Sequence, residues 1–123
     1  TSNVGGVQIN ASSTSFNTTS DYRAKENVVP MENSINRLKE LKPCRFNFII
    51  EPENTVDGFI AHEAQEVVPE AVTGEKDKLN YEGNPEYQGI DQSKIVPLLT
   101  SALQEAISKI EQLETRIQTL ENN

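Results

Sequence analysis

An apolar stripe near the C-terminus constrains the fold of this chain more than any other feature. Its members alternate in steps of three and four residues: Val96, Leu99, Leu103, Ala106, Ile110, Leu113, Ile117 and Leu120. This spacing places them at positions a and d of a heptad repeat, so it predicts a helix that pairs with other helices in a coiled coil. Pro97 is tolerated only near a helix start or at a kink, so the regular helix is expected to begin beside it. At about 1.5 Å per residue, the helix would run roughly 37 Å to Leu120.

The charges beside the stripe favour parallel neighbours. With Ile110 at position a, Lys109 and Arg116 fall at g, and Glu114 and Glu121 fall at e. In a parallel coiled coil each g residue would meet an opposite charge at the next e position of its neighbour. An exposed ion pair contributes only about 0.2–1 kcal/mol, so these charges would select the orientation of the helices rather than drive their association.

Two questions about this helix stay open at the level of sequence. Ile107 at position e widens the apolar face, so an amphipathic helix folded back on its own domain is an alternative. The second question is the number of helices in the coiled coil. Val or Ile at a with Leu at d is the pattern of dimers, but the seam by itself does not determine the number.

Composition favours a small domain that depends partly on association. The chain has 123 residues, 35% of them hydrophobic, with a mean hydropathy of -0.57. A chain of this size forms one domain and buries only about two thirds of its unfolded surface. The net charge of -8 argues against nucleic acid or an anionic membrane as a partner. The sequence also lacks an apolar run long enough to span a membrane and an N-terminal signal pattern.

The single cysteine and the single histidine limit metal and thiol chemistry. Cys44 cannot form an internal disulfide, which fits folding in a reducing cytoplasm, and its neighbours Pro43 and Phe46 suggest a packing role. One cysteine and His62 cannot fill a tetrahedral zinc site, and the sequence has no glycine-rich phosphate loop. No metal and no cofactor are therefore expected.

Short elements are predicted before the long helix, giving an α+β fold: a small globular domain of short strands and helices followed by a C-terminal coiled-coil helix. Uncharged residues 1–19 fit either a linker or a short strand built on Val4, Val7 and Ile9. Further along, the pattern predicts a helix opened by Pro30, a strand over 44–50, a break at 51–55 and a strand over 56–61. A helix over 62–68, an extended piece at 71–73 and a loop over 75–85 with a strand near 79–81 follow.

The octet from Ser20 to Asn27 is the part of the chain that suggests a reaction. Ser20 and Lys25 have the parts of a minimal nucleophile and base, because a neutral amine can accept the hydroxyl proton. Taken by itself, the spacing is weak and favours the alternative, a helix N-cap serine followed by a solvated lysine one turn later. Asp21, Arg23, Glu26 and Asn27 share the block, and their spacing assigns them no catalytic role.

Three blocks in order resemble the S74 peptidases, the self-cleaving C-terminal intramolecular chaperone domains of bacteriophage tailspikes, tail fibres and endosialidases. The first is the octet 20–27, the second is 58–72 (GFIAHEAQEVVPEAV), and the third is 87–99 (YQGIDQSKIVPLL). The resemblance covers the chain from Ser20 to the C-terminus. It departs from the family at His62, where the family usually has glutamine.

The resemblance implies that Ser20 is the nucleophile and Lys25 the general base. A lysine with the ordinary pKa of about 10.4 has roughly one neutral amine in 2,500 at pH 7, so burial on assembly would have to supply the neutral form. Within one chain, Ser20 reaches the Thr19 carbonyl through a five-membered ring, which predicts scission between Thr19 and Ser20. The runner-up is scission between Ser20 and Asp21, by a serine of a neighbouring chain or by activated water.

The resemblance also implies a homotrimer that serves an upstream fibre or tailspike segment of the same polypeptide. Residues 1–19 would end that segment, 20–90 would form the globular chaperone domain, and 91–123 the coiled coil. Assembly would take place in the cytoplasm of the bacterial host, and the mature upstream part would enter the virion tail. The alternative is a permanent trimerisation module at a fibre tip that never cuts.

Overall fold

The computed structural model describes residues 5–123, which divide into two compact units at Pro30 and Met31. In the first, β1 (Gly5–Ile9) and β2 (Thr14–Thr18) form an antiparallel hairpin in which Val7 lies opposite Phe16. At the turn, the Asn10 side-chain oxygen accepts hydrogen bonds from the backbone N–H groups of Ser12 and Ser13. The short-strand interpretation of this segment is therefore correct for 5–9, and Val4 lies outside the described residues.

The second unit contains short elements followed by one long helix. Its helices are α1 (Ser34–Lys39), α2 (Ala61–Gln65) and α3 (Val96–Glu121). The strands β3 (Cys44–Phe48) and β4 (Glu51–Gly58) form one antiparallel pair, and β5 (Val72–Thr73) and β6 (Gly89–Ile90) form another. Two 3-10 turns, Pro69–Ala71 and Gln92–Ile95, precede β5 and α3. The α+β class and the long C-terminal helix are thus confirmed.

A small core joins the start of α3 to the segment around α2. Its buried members are Leu41, Ala64, Val67, Val68, Ala71, Val72, Ile95 and Leu98. Leu98 is only 2% exposed, and Ala102, one turn further along α3, is equally buried. Because residues four apart lie on the same face of a helix, α3 presents one narrow face to this core.

Polar contacts fix α1 against α3. Ser34 is fully buried, and its hydroxyl lies 2.7 Å from the hydroxyl of Ser101. The backbone N–H of Ile35 donates to the Glu105 carboxylate at 3.2 Å. The first N–H groups of a helix have no partner inside that helix, so Glu105 supplies from α3 a hydrogen bond that α1 cannot make for itself.

The predicted start of the first helix is wrong. It begins at Ser34 rather than at Pro30, and Asn33 before it adopts a left-handed conformation with φ of 57°. The contacts of Ser34 and Ile35 with α3 determine where α1 starts, and they outweigh the local preference of proline for a first helical turn.

The predicted break after the first strand is also wrong, because residues 51–55 belong to β4. Pro52 is tolerated there because it lies between the pairs Phe48–Glu51 and Asn47–Thr55, where the register shifts. The strand predicted over 44–50 ends at Phe48, and the helix predicted over 62–68 is the shorter α2. Near Leu79 the chain makes a single β-bridge to Pro85.

Candidate functional site: a serine–lysine pair and an open helix face

A short turn folds Lys25 back toward Ser20. Tyr22–Ala24 form a 3-10 turn that begins after Asp21, whose backbone is extended. The N–H of Ala24 donates to the Asp21 carbonyl and that of Lys25 donates to the Tyr22 carbonyl, both at 3.1 Å. These bonds reverse the chain within five residues, so the side chains at its two ends can meet.

The Lys25 side chain contacts the Ser20 hydroxyl directly. Its Nζ lies 2.7 Å from Ser20 Oγ and donates a hydrogen bond to it. The same separation serves the reverse transfer, in which a neutral amine accepts the hydroxyl proton while the oxygen attacks a carbonyl carbon. Both residues are exposed in the single chain. The pair therefore has the geometry of a nucleophile and base but lacks the covering that would favour a neutral amine.

The Asp21 carboxylate holds this turn through three hydrogen bonds, all of them from Arg23. It accepts from the Arg23 backbone N–H at 2.9 Å, from Nε at 3.0 Å and from Nη2 at 2.8 Å. The Arg23 guanidinium, followed by its backbone N–H, lowers the pKa of Asp21 below its ordinary value, and the carboxylate raises the pKa of Arg23. The sequence did not predict this pair, although an Asp ahead of a turn with a free N–H two residues on is a known capping pattern.

The other residues considered from the sequence include the immediate neighbours of this pair and residues of the second unit. Thr19, Ser20 and Asp21, which flank the two candidate scissile bonds, are all exposed. His62 lies on α2 in the second unit and lines an open depression of about 250 Å³ with Lys78 and Tyr87. Cys44 is half-buried and its thiol lies 3.6 Å from the Gly58 carbonyl, as expected for a packing residue.

Residues 5–123 contain no cluster of three His, Cys, Asp or Glu side chains that could hold a metal ion. In the same residues, no helix is long and apolar enough to cross a membrane.

The apolar stripe of α3 lies open in the single chain. Apart from Ala106, which is partly buried, its members are between 52% and 71% exposed. The face of α3 that packs on the core is a different one, carrying Leu98, Ala102 and Glu105. The helix therefore uses one face within its own unit and leaves the heptad face available.

A serine and a lysine in direct contact are the minimal parts of a serine peptidase that uses an amine as its base. Sequence comparison identifies the same class, because the S74 peptidase family, described as chaperone of endosialidase, matches residues 20–73. The match confirms the resemblance over residues 20–73, and the family implies a self-cleaving, peptidase-type activity together with a chaperone function. A search of curated proteins found no match to the chain.

Proposed function

We propose that this chain is a homotrimeric intramolecular chaperone that assists the folding of an upstream fibre or tailspike segment and then releases itself by autoproteolysis at Ser20. The observation that carries the proposal is the 2.7 Å contact between Lys25 Nζ and Ser20 Oγ at the start of the family-matched segment. Assembly takes place in the bacterial cytoplasm, and the freed upstream part joins the virion tail.

The cleavage step follows from the positions of the two side chains. The neutral Lys25 amine takes the Ser20 hydroxyl proton while Oγ attacks the Thr19 carbonyl carbon. The Thr19–Ser20 C–N bond breaks, the Ser20 nitrogen receives the proton from Lys25, and Thr19 is left as an ester on Oγ. Water then hydrolyses the ester, which frees the Thr19 carboxylate and restores the hydroxyl. Holding the target bond in the same chain supplies the effective concentration that a weak nucleophile needs.

The open stripe of α3 supports the assembly part of the proposal. Burial of apolar surface contributes about 25 cal/mol per Å², so seven large side chains left half exposed favour association of the helices. Lys109 and Arg116 at g, with Glu114 and Glu121 at e, favour parallel chains. Parallel helices place the three copies of the upstream segment side by side, which is what a threefold fibre requires.

A reporter domain fused before Thr1 tests the proposal. The unmodified fusion should yield two products, the reporter extended to Thr19 and the fragment 20–123, which mass spectrometry distinguishes from intact chain. Ser20→Ala and Lys25→Ala should each abolish cleavage and leave the trimer intact, as measured by sedimentation equilibrium. Glu26→Ala, an exposed charged residue of the same block, is the matched control and should cut normally.

The outcomes separate two kinds of protein. An unmodified fusion that stays in one piece as a trimer would identify a permanent trimerisation module at a fibre tip. Normal cutting in Lys25→Ala would remove Lys25 as the base.

A further inference from the structure

We propose that Asp21 is a positioning residue for this cleavage: it caps the turn that brings Lys25 to Ser20 and takes no part in proton transfer. The inference rests on the proposed function, since it assumes that the pair cuts. It assigns a role to a residue that sequence spacing left without one.

The hydrogen bonds of Asp21 place its action in the backbone. One carboxylate oxygen accepts from both the Arg23 N–H and Nε, and the other accepts from Nη2. All three donors belong to Arg23, and the carboxylate has no hydrogen bond to Ser20 or Lys25 among those found in residues 5–123. An effect of Asp21 on the reaction therefore passes through the turn.

The 3-10 turn also determines whether the Lys25 side chain can contact Ser20. Lys25 directly follows the 3-10 turn, and its N–H bond to the Tyr22 carbonyl exists only while Tyr22–Ala24 stay in that conformation. A three-residue turn on an exposed segment has little packing to hold it, because none of its residues is buried. The Asp21 cap restrains it together with the two backbone hydrogen bonds of Ala24 and Lys25. Small displacements of a reacting group can lower rates about a hundredfold, so a loose turn should be costly.

Three substitutions separate the cap from the charge. Asp21→Asn and Asp21→Ala remove the same negative charge, but asparagine keeps an oxygen that accepts from the Arg23 N–H, and alanine does not. Arg23→Ala removes the guanidinium and keeps the backbone cap. In the reporter fusion, we expect the first-order cleavage rate to fall about tenfold or more in Asp21→Ala. Asp21→Asn and Arg23→Ala should stay within about threefold of the unmodified protein.

A cap elsewhere in the chain is the matched control. Asp91 accepts from the Ser93 N–H at 3.1 Å and from its hydroxyl at 2.6 Å, at the start of the 3-10 turn Gln92–Ile95. Asp91→Ala should leave the cleavage rate of the assembled protein within about twofold. Hydrogen exchange of the Arg23 amide gives a readout independent of cleavage: protection should persist in Asp21→Asn and be lost in Asp21→Ala.

Each outcome decides the matter. Equal cleavage rates in Asp21→Ala and Asp21→Asn, both well below the rate of the unmodified fusion, would show that cleavage depends on the charge of Asp21 and not on its cap. A rate in Asp21→Ala equal to that of the unmodified fusion, with Lys25→Ala uncut, would overturn the positioning role and leave the proposed function standing. An unmodified fusion that does not cut would instead remove the proposed function itself.

Discussion

At the scale of single residues, the Ser20–Lys25 contact restricts which bond can be cut. Lys25 contacts the hydroxyl of Ser20 in its own chain, so the serine that it would deprotonate belongs to the same chain. From there Oγ reaches the Thr19 carbonyl through a five-membered ring, whereas its own carbonyl would require a strained four-membered ring. We therefore expect scission between Thr19 and Ser20, so the released fragment should begin with Ser20. Amino-terminal sequencing checks this, and a fragment that begins with Asp21 would exclude the intrachain ester.

The Asp21–Arg23 pair leads to a prediction about titration. The pKa of the Asp21 carboxyl is lowered, chiefly by the Arg23 guanidinium, so this group should stay ionised as the pH falls through about 3.9, the ordinary value for aspartate. The pKa of Asp21 is lower in the folded chain than in the unfolded chain. The pair therefore stabilises the turn fully at pH values above the unfolded pKa, and this stabilisation is lost as the pH falls through the folded pKa. In Arg23→Ala the pKa of Asp21 should rise, because the substitution removes the side-chain hydrogen bond that lowers it most. Carbon-13 NMR of the carboxyl group measures it.

Asp91 serves as the internal reference in the same spectra. Its pKa is lowered by hydrogen bonds from Ser93, so Arg23→Ala should leave it unchanged. A pKa for Asp21 that is the same with and without Arg23 would contradict the pair seen in the structure.

The sequence predicted local contacts at this scale better than distant ones. The family resemblance of the octet implied the approach of Lys25 to Ser20, and a turn of a few residues is enough to bring it about. The bond between the Ile35 N–H and Glu105 joins residues 70 apart in sequence, and no local pattern encodes it. The catalytic roles of Ser20 and Lys25 remain predictions.

At the scale of elements, adjacent leucines on α3 should have opposite roles. Leu98 is 2% exposed in the core, whereas Leu99 on the apolar stripe is 52% exposed. Leu98→Ala should lower the free energy of unfolding by about 2–5 kcal/mol, because it leaves a cavity. Leu99→Ala should cost about 1 kcal/mol or less in a monomeric chain, yet weaken association. The losses of stability are measured by urea unfolding of both variants in a background of Leu113→Asp with Ile117→Asp, which should keep the chain monomeric. The weaker association of Leu99→Ala is measured by sedimentation equilibrium without that background.

Equal losses of stability from the two substitutions would mean that Leu98 and Leu99 do not lie on a buried and an exposed face of α3.

Element length decided how much of the fold was predictable. The heptad pattern extends from Val96 to Leu120, so many residues agree on one period, and α3 indeed runs from Val96 to Glu121. The strands β5 and β6 have two residues each, too few to show a period. The start of α1 depends on contacts between Ser34 and α3, so local signals placed it wrongly at Pro30.

At the scale of the whole molecule, cleavage should depend on assembly. Ser20 and Lys25 are exposed in the single chain, whereas a general base needs a neutral amine, a form that burial favours. A neighbouring chain can provide the covering that a neutral amine needs, so a chain that cannot assemble should not cut. Leu113→Asp with Ile117→Asp places unpaired charges in the seam at a cost of several kcal/mol per chain. This variant should be monomeric and uncut, whereas Gln112→Asp with Thr119→Asp, which adds the same charge at position c, should assemble and cut.

Sedimentation equilibrium and mass spectrometry of the reporter fusions measure both properties. Equal cutting rates in monomeric and assembled preparations would contradict the dependence. A monomeric unmodified chain would remove the assembly proposal, and a dimer would mean that the seam pattern of Val or Ile at a with Leu at d determines the number of helices.

Mixed assemblies then decide whether each chain cuts itself. Lys25 contacts Ser20 of its own chain, so Ser20→Ala and Lys25→Ala chains each lack one half of every intrachain pair. Co-folded in one trimer, they should remain uncut, since no chain holds both groups. Each parent carries a reporter of different mass, so any product identifies the chain that was cut. Cleavage of the Lys25→Ala chain in mixed trimers alone would show that the amine comes from a neighbour, and the contact between Ser20 and Lys25 within one chain would then not be the catalytic one.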